Sequence, residues 1–204
     1  MEKILNYIDG QLVEPISGKY IDNVEPATGV AYSLIPDSNE QDVEKAIIAA
    51  ENAFPEWSNS SVDTRSGYLN KIADLIEEEL EPLSNAESQD NGKPVWLAKS
   101  VDIPRASTNF RFYANAITQF SSESHAMGTS ALNYTLRRPL GVVGCISPWN
   151  LPLYLLSWKI APALASGNCV VAKPSEVTPM TAYLLAKICQ KAELPKGVLN
   201  IVHG

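Results

Sequence analysis

No stretch of this sequence gathers the roughly 20 consecutive apolar residues that a membrane-spanning helix needs. The opening MEKILNYIDG holds no long apolar run that would read as a targeting segment. A chain with neither feature is expected in the cytoplasm. Cysteine is scarce: Cys145, Cys169 and Cys189 all lie in apolar segments and form no C-x-x-C pair. That pattern excludes a disulfide framework and fits free, buried thiols in a reducing compartment. His125 and His203 stand alone, with no second His, Cys or carboxylate at ligand spacing, so no metal site is expected. There is no basic cluster interleaved with aromatics, which argues against a nucleic-acid partner. G-x-x-x-x-G-K-[ST] is missing altogether, and no G-x-G-x-x-G follows the first strand of the C-terminal third, so neither a P-loop nor the standard dinucleotide fingerprint is available. Internal repeats and low-complexity tracts are also lacking.

What remains is an ordinary globular balance over 204 residues, 45% apolar and 19% charged, enough to bury a core. The net charge of −7 is unevenly spread. From Pro139 onward five Lys stand against two Glu, a net of +3, which leaves −10 for the first 138 residues. The acidic part reads as solvated helix faces. In the basic part Lys187, Lys191 and Lys196 cluster where they complement a helix C-terminus.

The first 35 residues read as short strands and turns, with a hairpin over Tyr7–Val13 turning at Asp9-Gly10. Ser38-Asn-Glu-Gln41 has the form of a capping box. The helix it opens would carry Val43, Ile47, Ala50 and Phe54 on one face and end at Pro55. A second helix is predicted near Asp63–Leu80, striped by Leu69, Ile72, Leu75, Ile76 and Leu80. A third starts around Pro82 and stops at Asn91-Gly92, and a fourth covers Arg105–Phe120. Ser121–Ser130 is small and polar, hence a loop, and Leu132–Leu136 alternates like a strand. From Pro139 the character changes. LGVVGCIS, Asn168–Ala172 and Leu199–Val202 are β-rich runs without alternation, separated by helices from Pro152 to about Ala165 and from Thr178-Pro179 to about Ala192. Strands buried on both faces read this way, so the order predicts a parallel βαβαβ unit with both helices on one face.

Ligands of open parallel sheets bind beyond the carboxyl ends of the strands. That rule selects Ser147–Leu151, Lys173–Glu176 and His203-Gly204. Lys173 offers an ammonium donor, and Glu176, three residues on, can accept from both hydroxyls of a ribose. A 2′-phosphate would be repelled there, so the pair favours NAD over NADP; the competing reading is a solvated turn. Asn150 sits between Pro148 and Pro152, which stiffen the backbone on both sides. A rigidly held amide is a good oxyanion donor, and a helix N-cap is the competing role. Arg105 and Arg111, set among apolar residues, could each clamp a carboxylate or form an internal salt bridge.

Together these pieces resemble the N-terminal part of the aldehyde dehydrogenase family. The resemblance runs through Asp90-Asn-Gly-Lys-Pro94, Arg138-Pro-Leu-Gly-Val-Val143, PWNLPLYLLSWKIAPALASGN, VVAKPSE and PKGVLNIVHG, and so covers essentially the whole chain. The wording of the central motif is most similar to the 2-aminomuconate and 2-hydroxymuconate semialdehyde branch. The resemblance implies an α/β fold: an N-terminal helical segment (1–120) packing on an NAD-binding domain, part of an oligomerisation arm (121–138), and the first half of a Rossmann-like sheet (139–204). It implies NAD as cofactor, a small aldehyde as substrate, and a dimer or tetramer of like subunits. Residue by residue, it makes Asn150 the oxyanion donor and places Ile146, Ser147 and Trp149 along the cofactor. Lys173, Ser175 and Glu176 lie at the adenosine ribose, and Leu151 in the substrate funnel. By approximate alignment, Arg105 is the candidate for a substrate carboxylate. The family's cysteine nucleophile, glutamate base and Gly-rich loop match nothing in the 54 residues after Asn150. The expectation is therefore a fragment without turnover of its own. The alternative is a short, non-catalytic module that binds nucleotide or pairs with a longer relative.

Overall fold

The computed structural model describes residues 1–204. It begins with β1 (Glu2–Lys3), β2 (Asn6–Ile8) and β3 (Gln11–Val13). Asp9 and Gly10 both take positive φ, 51° and 76°, the left-handed pair that a tight two-residue hairpin requires. The β2–β3 hairpin therefore forms where the sequence places it. β4 (Tyr20–Glu25) and β5 (Val30–Pro36) pair antiparallel, and β1 joins β5 in parallel to make a three-stranded sheet.

Helix α1 (Glu40–Asn59) corrects the expected cap, stripe and end. Its N-cap is Asn39, not Ser38, and Asp42 closes the box by accepting from the Asn39 N–H. Ser38 instead accepts a hydrogen bond from Asn6 Nδ2 at 2.8 Å. The buried face is Ala46, Ala49, Ala50 and Trp57; of the expected stripe Ala50 is buried and Phe54 packs half-buried on the core, while Val43 is exposed. Small alanines let the helix lie close on the sheet, which the larger residues on the neighbouring face could not do. Pro55 sits inside the helix on its exposed side and does not end it.

The α2 (Val62–Glu78) stripe has Leu69, Ile72 and Ile76 fully buried, but Leu80, expected on it, opens α3 (Leu80–Asn91), which starts before Pro82 and ends at Gly92 with φ 79°. The next helix begins earlier than predicted. α4 (Val95–Leu97) runs through a π-helical turn, Ala98–Asp102, into α5 (Ile103–Thr118), so Pro104 marks an irregularity rather than a start. β6 (Ser124–Met127), expected as loop, pairs antiparallel with β7 (Ala131–Tyr134). All eight residues are exposed, so pairing rather than burial makes the strand, and burial is what a sequence pattern records.

The βαβαβ unit is present: β8 (Val142–Ile146), α6 (Pro152–Ala165), β9 (Cys169–Lys173), α7 (Met180–Lys191) and β10 (Leu199–Ile201), with β8, β9 and β10 parallel. The sheet is wider than the unit. β10 also pairs antiparallel with β2, giving the order β3-β2-β10-β9-β8. Helices α6 and α7 pack on each other and on the sheet, while α1 packs across β8, β9 and β10. α2 and α5 close over α6, and one core of 32 buried residues, including Leu69, Phe110, Leu156 and Val170, runs through these layers. All three cysteines are free and buried; burial pushes the thiols of Cys169 and Cys189 up to about 11 and about 12. No helix is long and apolar enough to cross a membrane.

Candidate active site

The carboxyl ends of the three parallel strands lie side by side. Ile146 is the register partner of Lys173, the Ser147 N–H donates to the Lys173 carbonyl at 3.1 Å, and the Val202 N–H donates to the Ala172 carbonyl at 2.9 Å. Ser147 is buried at this junction, whereas the side chains of Ile146 and Trp149 are 74% and 58% exposed. Two large apolar groups thus stand uncovered at the mouth of a sheet, next to a charged pair. Lys173 Nζ donates to Glu176 Oε2 at 2.7 Å, and that bond holds the Glu176 carboxyl below its ordinary range. Ser175 shapes the turn between them, its carbonyl accepting from the Thr178 N–H. His203, at the end of β10, is buried and held neutral, pushed down to about 3 by burial and by the nearby charge of Lys173.

The Trp149-Asn150 loop is pinned by its backbone. Asn91 Nδ2 donates to the Trp149 carbonyl at 3.0 Å, with the Thr178 hydroxyl at 3.4 Å. Lys93 Nζ donates to the Asn150 carbonyl at 3.3 Å. Asn150 itself is exposed and its side-chain amide binds no group of the chain. It is not a helix cap. Leu151 holds the N-cap position of α6, Pro152 supplies the first turn without an N–H, and the Leu153 N–H points to Glu87 Oε2 at 3.5 Å. With Pro152 and Glu87 satisfying that end, the amide is left over for something else.

Lys93 is nearly buried between two buried carboxylates, 3.3 Å from Glu87 Oε1 and 2.5 Å from Asp102 Oδ2. Burial pushes Glu87 up to about 7; Lys93 opposes this and Asp102 adds to it. The sequence marks Asn91 and Thr178 only as helix boundaries and gives Glu87, Lys93 and Asp102 no site role; nothing in the motif Asp90–Pro94 discloses that its lysine reaches the loop 57 residues on.

Arg105 lies on α5, exposed and without a carboxylate partner, its guanidinium 5.7 Å from the Tyr154 ring. Tyr154 belongs to the first turn of α6 and stacks on Trp158, so Arg105 reaches the element that follows Leu151 rather than the strand ends. Arg111 makes the internal ion pairs, to Asp74 and Glu77 at 2.9 and 2.8 Å. Leu151 is half-buried below the loop. The strand ends thus bring Ile146, Ser147, Trp149, Asn150, Leu151, Lys173, Ser175 and Glu176 together, with Arg105 set apart from them.

Comparison with known proteins identifies the family. The profile described as "Aldehyde dehydrogenase family" matches residues 12–204. The chain is 51% identical over 200 residues to the 2-aminomuconic semialdehyde dehydrogenase of Homo sapiens, covering 98% of this chain and 41% of that protein. It is 42% identical over 209 residues to the 2-hydroxymuconic semialdehyde dehydrogenase of Pseudomonas sp. strain CF600, covering 100% of this chain and 43% of that protein. Among solved structures, the NAD+ complex of an aldehyde dehydrogenase from Bacillus cereus superposes with a TM-score of 0.97 at 39% identity, over 100% of this chain and 42% of that one. The chain therefore spans about two fifths of the length of the relatives it matches. A parallel sheet whose strand ends carry a pinned asparagine and a lysine–glutamate pair, matched along nearly its full length, belongs to the aldehyde dehydrogenase family.

Proposed function

We propose that this chain is the cofactor-side portion of an NAD-dependent aldehyde dehydrogenase that oxidises a muconate-type semialdehyde to the acid. The observation that carries the proposal is the unengaged amide of Asn150 on a loop pinned through its own backbone. Residues 139–204 would form the nucleotide-binding half and 1–120 its support. The β6–β7 hairpin (within 121–138), with Met127, Leu132 and Tyr134 exposed, would be the arm that joins subunits into a dimer or tetramer.

The residues at the strand ends fit NAD. Ile146 and Trp149 offer bare apolar walls to its flat rings, and Glu176, ionised and steered by Lys173, can accept from two ribose hydroxyls. NAD, when bound, supplies the hydride acceptor. Asn150 donates its N–H to the oxygen that gains charge as the aldehyde carbonyl is attacked; because the loop is already fixed, no reorganisation is needed at that moment. Leu151 and Arg105 would lie on the substrate side. The attacking thiol is none of the three present, since Cys145, Cys169 and Cys189 are buried with raised pKa values and carry little thiolate. It belongs to a catalytic domain outside these residues.

The test is Asn150→Ala in the enzyme that joins this chain to its catalytic domain. kcat should fall by about 10²–10³, the loss of one oxyanion donor, with NAD affinity measured by calorimetry unchanged. An unaltered kcat would remove Asn150 from the chemistry.

A further inference from the structure

We propose that the buried Glu87–Lys93–Asp102 cluster is a positioning device that aims the Asn150 amide. This rests on the reading of Asn150 given above. Two carboxyl groups and an ammonium converge in the interior: Glu87 is fully buried, Asp102 nearly so, and Lys93 Nζ bonds both. Buried ion clusters are poor stabilisers, because desolvation offsets most of the attraction, and an apolar replacement would pack as well. The one bond the Lys93 ammonium makes outside the carboxylates is to the Asn150 carbonyl.

That carbonyl sets a direction. A peptide unit is planar, so fixing a carbonyl oxygen orients the plane to which it belongs. Lys93 holds the carbonyl of the plane following Asn150, with Asn91 Nδ2 farther off at 3.5 Å, and Asn91 with Thr178 holds that of the plane preceding it. With both flanking planes held, φ and ψ of Asn150 are determined and its Cα–Cβ bond points one way. Glu87 adds a second hold by meeting the Leu153 N–H at the start of α6. Asp102 anchors the ammonium from the π-helical turn before α5, so the loop is referenced to α3, α5 and α6 together. Lys93 touches no reacting atom; it acts through Asn150.

The experiment compares Lys93→Met, Asn150→Ala and the double variant in the complete enzyme. Lys93→Met should lower kcat by about 10- to 100-fold, the scale of a small misplacement, and leave KM for NAD within about twofold. The double variant should be no slower than Asn150→Ala alone, because the lysine has nothing left to aim. Spectra of enzyme labelled with 15N-asparagine should show the Asn150 side-chain amide shifted or broadened by Lys93→Met while that of Asn23 stays in place. Should Lys93→Met fail to fold, Asp102→Asn loosens the same ammonium and should lower kcat in the same non-additive way. Additive losses, or a normal kcat and an unmoved amide in either folded variant, overturn the positioning role. If Asn150→Ala itself left kcat intact, the underlying reading of Asn150 would fail instead, and the spectral comparison would still decide whether Lys93 aims the amide.

Discussion

Asp90, near the end of α3, accepts a 2.6 Å hydrogen bond from the backbone N–H of Met180, the first residue of α7 and 90 positions away. α7 has no side-chain cap of its own; Pro179 stands at the N-cap position, so the Thr178-Pro179 cap expected from sequence is supplied by another helix. Asp90 also accepts from Asn23 Nδ2 at 2.8 Å and from the Tyr32 hydroxyl. Burial raises its pKa, and these three donors work against that rise. Asp90→Ala takes the acceptor from three donors, of which the Met180 N–H is buried and Asn23 Nδ2 keeps only Ser33 Oγ, and should cost about 3 kcal/mol. Urea unfolding measures this, and a loss below about 1 kcal/mol would contradict the shared cap.

Two buried groups give opposing responses to pH. Glu87, pushed up to about 7 from 4.5, holds its proton more firmly in the folded state. Its contribution is fully present below pH 4.5 and is lost as pH rises through 7. His203, pushed down to about 3 from 6.5, resists protonation when folded, so its contribution is lost as pH falls through that window. Each amounts at most to about 1.4 kcal/mol per pH unit, and between pH 4.5 and 6.5 they oppose one another. Glu87→Gln should gain on the parent as pH rises from 5 to 7, and His203→Gln should gain on it as pH falls from 6 to 4. Unfolding curves at several pH values give both differences; parallel curves would refute the assignment.

Arg105 is free of internal carboxylates and rests beside Tyr154. If it receives the substrate's distal carboxylate, Arg105→Ala should raise KM for a carboxylated semialdehyde by about 10-fold or more, the loss of one charge-assisted bond, and leave a neutral aldehyde unaffected. Steady-state kinetics with the two substrates checks this, and equal effects on both would remove Arg105 from recognition.

Much of the fold could be read along the chain because its signals are local. The unbroken apolar runs of β8 and β9, the Pro148–Pro152 bracket and Gly92 each mark an element by its own residues. The strand-end rule selected the segments that carry Asn150 and Glu176, and the structure sets both beyond the parallel strands. What stayed hidden depends on distant partners. The alanine face of α1 is inconspicuous beside Val43 and Ile47 until the sheet beneath it is known. β6 exists only because β7 pairs with it. Glu87, Lys93 and Asp102 look like three ordinary surface charges, and only the approach of α3 to the α6 loop turns them into one buried group.

The pairing of β2 with β10 has a consequence for how the molecule is made. Asp9 N–H donates to Asn200 Oδ1 at 3.0 Å, and the His203 N–H to Asn6 Oδ1 at 2.8 Å. The sheet is closed by contacts between residues nearly 200 positions apart, and loops of that length are slow to close. During synthesis, the β2–β3 hairpin has to wait for β10 to leave the ribosome. Until then β2 presents an unpaired edge to any neighbour, and a chaperone that shields residues 6–13 would guard the most vulnerable interval in its folding.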